Sequence, residues 1–166
     1  MTALLATGAR VTNLDLASNP NPPHPNYQYF ACDIASELAL EDAFSVASAT
    51  FGPVACCIAL ASLDLSVLPH HESLADIDVE QWRRTHRVNV EGTFLTARTW
   101  LRQLRGYSPD EKKEQLRNVG LIIVGSESGH FGERGNADYA SGKSAVQFGL
   151  VKSLAGDANR VWEGAR

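Results

Sequence analysis

Tyr139 and Lys143 stand four residues apart in the run Tyr139-Ala140-Ser141-Gly142-Lys143. That spacing sets a phenol and an ammonium on one face of a helix. The cation lowers the proton affinity of a phenol whose unperturbed pKa is about 10. Ser126 lies 139 − 126 = 13 positions upstream behind an apolar strand, and Asn89 lies earlier still. A hydroxyl at the mouth of that strand can hold a carbonyl or alcohol oxygen against the phenol. The combination suits proton transfer to or from an alcohol during hydride transfer. Asn89 by itself reads equally well as a polar residue facing solvent.

The elements that must carry these groups follow from pattern. Val11 to Leu16 reads as a strand ending at Asp15, preceded by an Ala/Leu-rich stub that closes at Gly8 like the last turn of a helix. Pro20, Pro22, Pro23 and Pro25 make the next stretch an extended surface loop. Tyr27 to Cys32 is a second strand, followed by Asp33 and a helix from Glu37 to Thr50 that Gly52-Pro53 terminates. Val54 to Ala61 is apolar on both faces, as a central parallel strand covered by helices would be. A long helix from Val79 to Leu104 carries a stripe at Val79, Trp82, Val90, Phe94, Ala97, Leu101 and Leu104, with Asp76 and Asp78 in capping position. Gly106 to Asn118 is a polar surface excursion with about one helical turn. Leu121 to Val124 is a fourth strand, and the helix bearing Tyr139 and Lys143 runs to Leu154 or beyond. Strand and helix alternate, so the class is α/β with a parallel sheet and a ligand site beyond the carboxyl ends of the strands.

Composition excludes several classes. At 166 residues, with 44% hydrophobic and 20% charged residues, the chain fits a single domain, 1–166, with a real core. A formal charge of −4 gives no footprint for nucleic acid, and Arg83-Arg84 and Lys112-Lys113 read as solvated faces. Cys32, Cys56 and Cys57 are odd in number and read as reduced, buried and intracellular. No apolar run approaches a membrane span, so the expected address is the cytoplasm, with no metal.

Together these residues resemble the short-chain dehydrogenase/reductase family over nearly the whole chain. The carriers are Asn89 in Val88-Asn89-Val90-Glu91-Gly92, Ser126 in Val124-Gly125-Ser126-Glu127-Ser128, and Tyr139 with Lys143. The resemblance implies a Rossmann-like doubly wound parallel sheet with helices on both faces. It implies Tyr139 as general acid or base, Lys143 as its modulator and holder of the nicotinamide ribose, and Ser126 as the group binding the substrate oxygen. Asn89 would hold a water relaying protons to Lys143. Ser128 ranks second to Ser126 because it misses the interval of 13. Asp15 matches the acidic residue on the adenosine ribose, favouring NAD over NADP, and Asp33-Ile34 matches the pair beside the adenine. A homo-oligomer through the helices bearing Asn89 and Tyr139 is implied as well, with a small alcohol or ketone as substrate.

The family pattern also fails in places. The glycine-rich loop Thr-Gly-x-x-x-Gly-x-Gly belongs about 20 residues before Asp15, and Met1 is 14 before it. The sequence is therefore expected to lack the first strand, which is the central one, and the strands beyond the Tyr139 helix. The Asn-Asn-Ala-Gly signature is replaced by Ala59-Leu60-Ala61-Ser62. Two functions remain: an NAD-dependent alcohol/ketone oxidoreductase, impaired in this polypeptide, and a catalytically silent dimerisation or regulatory module.

Overall fold

The computed structural model describes residues 2–19, 21–116 and 118–163. Helix α1 (Thr2–Ala6) closes at Gly8, whose φ of +81° is the left-handed conformation expected of a C-terminal glycine. Strands β1 (Val11–Asp15) and β2 (Tyr27–Ala31) pair in parallel, Val11 opposite Tyr27 and Asp15 opposite Ala31. The loop between them carries Pro22, Pro23 and Pro25 at the surface; Pro20 lies outside the described residues. Helix α2 (Glu37–Phe51) is capped by the Ser36 hydroxyl, which accepts from the Ala39 N–H, and buries Leu40, Ala43, Phe44 and Ala47.

Strand β3 (Cys56–Ala59) pairs in parallel with β4 (Gly120–Ile123), and the two pairs form separate two-stranded sheets. This corrects the expected double-sided burial of Val54 to Ala61. Cys57 is buried, but Cys56 is exposed, Ile58 is 47% exposed and Leu60 64%, because the β3 edge away from β4 borders a cleft. Of the three free cysteines only Cys32 and Cys57 are buried as expected, and burial pushes the Cys57 thiol up to about 12.

The long helix is present as α3 (Val79–His86), a π-helical segment (Arg87–Gly92) and α4 (Thr93–Arg105). Asp78 occupies its N-cap position, but its side chain makes no capping bond. The apolar stripe is only partly the buried one: Val79, Trp82 and Phe94 are exposed, whereas Thr85, Asn89, Thr93, Thr96 and Trp100 face inward. The π segment shifts the register, and the threonines satisfy their own hydroxyls by bonding back, Thr93 to the Asn89 carbonyl and Thr96 to the Gly92 carbonyl. Polar residues therefore occupy a face that hydrophobic periodicity assigns to solvent. Gly92 admits close approach of Ile34, since a Cβ there would come within 2.7 Å of that side chain. Glu37 and Glu41 on α2 pair with Arg98 and Arg102 on α4.

The excursion holds α5 (Pro109–Gln115), closed by a Ser108–Glu111 capping box. Lys112 is buried, not solvated, and donates to the Val161 carbonyl. After β4 come α6 (Ser128–Phe131), α7 (Ala137–Ser144), a second π-helical segment (Ala145–Leu150) and α8 (Val151–Glu163). The core joins Cys32, Leu40, Phe44, Cys57, Trp100 and Leu104 beneath the strands, with the Trp100 indole N–H donating to the Val54 carbonyl. Among the described residues no helix is long and apolar enough to cross a membrane.

Candidate functional site

The carboxyl end of β4 meets α7. Lys143 is only 5% exposed, and its ammonium donates to the Val124 carbonyl at 2.9 Å and the Ser62 hydroxyl at 3.5 Å. It lies 5.7 Å from the centre of the Tyr139 ring, as the four-residue spacing on one helical face requires. Burial lowers the Lys143 pKa from its ordinary value, and the Asp64 carboxylate works in the opposite direction. Asp64 is itself held low, first by hydrogen bonds from Ser66 and only in smaller part by Lys143.

Tyr139 is 7% exposed, yet its hydroxyl bonds to no described residue and is not sealed from solvent. A phenol with a packed ring and an open hydroxyl can donate a hydrogen bond to a ligand or accept one from it. Ser126 is half-buried, its N–H donating to the Gln147 side-chain oxygen at 2.8 Å and its hydroxyl accepting from the Ser128 N–H at 3.2 Å. Gln147 follows Lys143 by one further helical turn, so Ser126 is held against the helix that carries Tyr139 and Lys143. The Ser128 hydroxyl is committed to Glu133 at 2.7 Å, which leaves Ser126 the freer of the two.

Asn89 is buried, and its amide is used twice on one residue, accepting from the Leu63 N–H and donating to the Leu63 carbonyl, both at 2.8 Å. It therefore clamps the loop after β3, and one amide N–H and one oxygen lone pair are left over from that clamp. The π-helical segment around Asn89 had no signal in the hydrophobic pattern.

The remaining candidates lie elsewhere. Asp15 is exposed at the end of β1, with Oδ1 accepting from the Ala17 N–H and Oδ2 without a partner among the described residues. Asp33 closes a turn by accepting from the Ala35 N–H at 2.9 Å. Asp15 and Ile34 both line the cleft between β1 and β3, which Tyr139, Lys143 and Ser126 do not line. That cleft is walled mostly by apolar side chains, and no cation is among the residues that line it.

Four residues that hold the site together escaped the sequence. Gln147 packs so closely that a Cβ on Gly125 or Gly129 would meet it at 2.4 or 2.5 Å, and the glycines spaced about it were the available signal. Ser62 and Asp64 sit beside Lys143 from a loop with no motif. Asp138 is fully buried, accepting from Thr85 at 2.8 Å and Gln81 at 3.1 Å, and ties α7 to α3. Among the described residues no cluster of three metal-ligating side chains exists.

With this geometry in place, the model of the short chain dehydrogenase family matches residues 3–161. The chain belongs to that family. It is 24% identical over 159 residues to the short-chain dehydrogenase srdC of Neurospora crassa, covering 93% of this chain and 57% of that one. A short-chain dehydrogenase structure from Novosphingobium aromaticivorans superposes with a TM-score of 0.79 at 19% identity, over 97% of this chain and 60% of that one. A short-chain dehydrogenase/reductase from Brucella melitensis gives 0.74 at 18%, over 93% and 62%. An NAD+-bound xylitol dehydrogenase gives 0.68 at 19%, over 81% and 46%. At such identities the structures establish the Rossmann-like fold alone. The chain spans little more than half the length of the curated relative.

Proposed function

We propose that this chain carries the proton-transfer half of an oxidoreductase that interconverts a secondary alcohol and a ketone with NAD. The observation supporting this most directly is the Lys143 ammonium, buried against the Val124 carbonyl and beside the Tyr139 ring while the Tyr139 hydroxyl stays open. In the oxidative direction Tyr139 accepts the hydroxyl proton of the alcohol, Ser126 donates a hydrogen bond to the same oxygen, and Lys143 stabilises the phenolate. A bound nicotinamide supplies the hydride acceptor. Asp15 favours NAD, because its free Oδ2 accepts from a ribose hydroxyl and repels a 2′-phosphate. Asn89 serves by fixing the loop that carries Ser62 and Asp64 to the π-helical segment.

The 166-residue polypeptide itself is expected to bind NAD weakly, since no cation among the described residues lines the cleft beside Asp15 to offset pyrophosphate charge. A dissociation constant in the micromolar range by calorimetry would contradict that. In a form that turns over an alcohol, Tyr139→Phe lowers kcat by about 10²–10⁴-fold and leaves NAD affinity within about twofold, because the ring is kept and the proton lost. Retention of most turnover in that variant refutes the role of Tyr139.

A second reading, a silent dimerisation or regulatory module, is favoured by the groove that exposed Trp82 and Phe94 line with half-buried Val90 on α3, the π segment and α4. Dimerisation by sedimentation that Phe94→Glu abolishes, with no turnover in any form, selects it.

A further inference from the structure

Residues 16–26 join two parallel strands, β1 and β2. Such a crossover is ordinarily made by a helix, yet none of its described residues is helical. Proline accounts for this. Pro22, Pro23 and Pro25 lack the N–H a helix would use, and each drives the residue before it to extended backbone. The described part of the loop has no cis peptide bond and no positive φ, so Asn21 to His24 is set to polyproline II. Tyr27 clasps both ends of this run. Its hydroxyl donates to Asn19 Oδ1 at 2.7 Å and accepts from Asn21 Nδ2 at 3.1 Å. Its N–H donates to the His24 carbonyl at 3.0 Å, closing a turn with Pro25 in the second position. Polyproline II has three residues per turn at about 3.1 Å each, so Pro22 and Pro25 share one ridge about 9 Å apart while Pro23 lies on another. Pro22, Pro23, His24 and Pro25 are all exposed. A cation stands at the end of the run: the Val11 N–H donates to the Asn26 carbonyl at 2.8 Å, which sets exposed Arg10 beside the residue after Pro25. Among the described residues Arg10 enters no ion pair. Asp15 lies at the opposite end of β1, where the loop begins.

We propose that this loop is the recognition element for a partner protein module of the SH3 type, a groove lined by aromatic rings with carboxylates at one end. Shape selects a polyproline reader. The pairs Asn21-Pro22 and His24-Pro25 present one ridge to two successive aromatic pockets, and Pro23 between them faces away. The Tyr27 clasp fixes that ridge before any partner arrives, so little chain entropy is lost on docking. Charge then selects among such readers. A polyproline groove without carboxylates leaves Arg10 unmatched, whereas an acidic pocket at the end of the groove pairs with it and fixes the direction in which the loop lies. Nothing in this assignment depends on the catalytic reading, and every residue it uses lies between Arg10 and Tyr27.

The test titrates the isotopically labelled 166-residue chain with a set of isolated SH3 domains that carry an acidic end pocket, and with a WW domain for comparison. An SH3 domain is expected to bind with a dissociation constant of about 10–100 µM and to shift the amide signals of Arg10, Asn21, His24 and Asn26. Pro22→Ala and Pro25→Ala should each weaken binding by about tenfold, and Pro23→Ala by no more than about twofold, since only the first two enter pockets. Arg10→Glu should weaken it by about tenfold and flatten its dependence on salt. That variant touches no proline, so it still decides the matter if the proline variants loosen the loop. No binding by any SH3 domain at about 1 mM would overturn the proposal. Equal losses in the three proline variants, or an unaltered affinity in Arg10→Glu, would do the same. Tighter binding by the WW domain would assign the loop to a different kind of reader and sink the SH3-type assignment.

Discussion

The two sheets hold their candidate site residues in different ways. Around β3, β4 and α7 the polar groups bond across the sequence: Lys143 to Val124 and Ser62, Asn89 to Leu63, Asp138 to Thr85 and Gln81, Ser126 to Gln147. Around β1 and β2 the carboxylates of Asp15 and Asp33 bond only two residues onward, to Ala17 and Ala35. A long-range buried bond fixes a side chain relative to another element and leaves a desolvated partner if it is broken. A turn bond fixes only its own loop. The proposed catalytic half is therefore organised by the fold itself, while the expected adenosine half is a pair of turns, exposed at Asp15 and half-buried at Asp33.

The comparison breaks most sharply at Asp138. Asp138→Ala strands the Thr85 hydroxyl and the Gln81 amide between α3 and α7 and should destabilise by about 2–4 kcal/mol. Asn89→Ala frees both backbone groups of Leu63 and should destabilise by about 1–3 kcal/mol. Urea denaturation of the purified chain checks both. Losses under about 0.5 kcal/mol would mean that these bonds exchange freely with water and that the two halves do not differ.

Lys143 sharpens the comparison through pH. Burial lowers its pKa from the ordinary 10.5, so between the lowered folded value and 10.5 the unfolded chain binds more protons than the folded one. Stability must then rise with pH across that window, by up to about 1.4 kcal/mol per pH unit, and the cost of the buried cation is fully present below it. Lys143→Met should remove that rise. Denaturation midpoints taken at intervals from neutral pH upward, wild type against variant, check it. Parallel curves would show that the ammonium is better hydrated than its burial implies.

How much of this was legible depended on whether the signal was local or relational. Helix α2, the Gly8 terminus and the strand alternation follow from caps and periodicity, and the Tyr139–Lys143 face follows from helical geometry alone. The π-helical segments were not legible, because an extra residue in a turn leaves no mark on hydrophobicity, and the shift moved Trp82 and Phe94 to the surface and threonines to the core. Lys112 was read as a solvated charge and Asp138 drew no reading, because their partners, Val161 and Thr85, are 49 and 53 residues away. Asp15 and Asp33 were legible as adenosine contacts only through the family resemblance, and the bonds the structure displays for their carboxylates are those of turns.

The smallest effect belongs to that last pair and separates a turn residue from a binding one. Asp15→Ala removes one exposed hydrogen bond to the Ala17 N–H, so stability should change by no more than about 0.5 kcal/mol. If the carboxylate also accepts from a ribose hydroxyl, the same substitution in a form competent for turnover should shift the NAD-to-NADP ratio of kcat/KM toward NADP by about tenfold, since it removes both a charge-assisted hydrogen bond and a repulsion. A structural role moves neither cofactor selectively. An unchanged ratio, or a wild type that already prefers NADP, would leave Asp15 a turn former and confine the chemistry of this chain to the half around Tyr139.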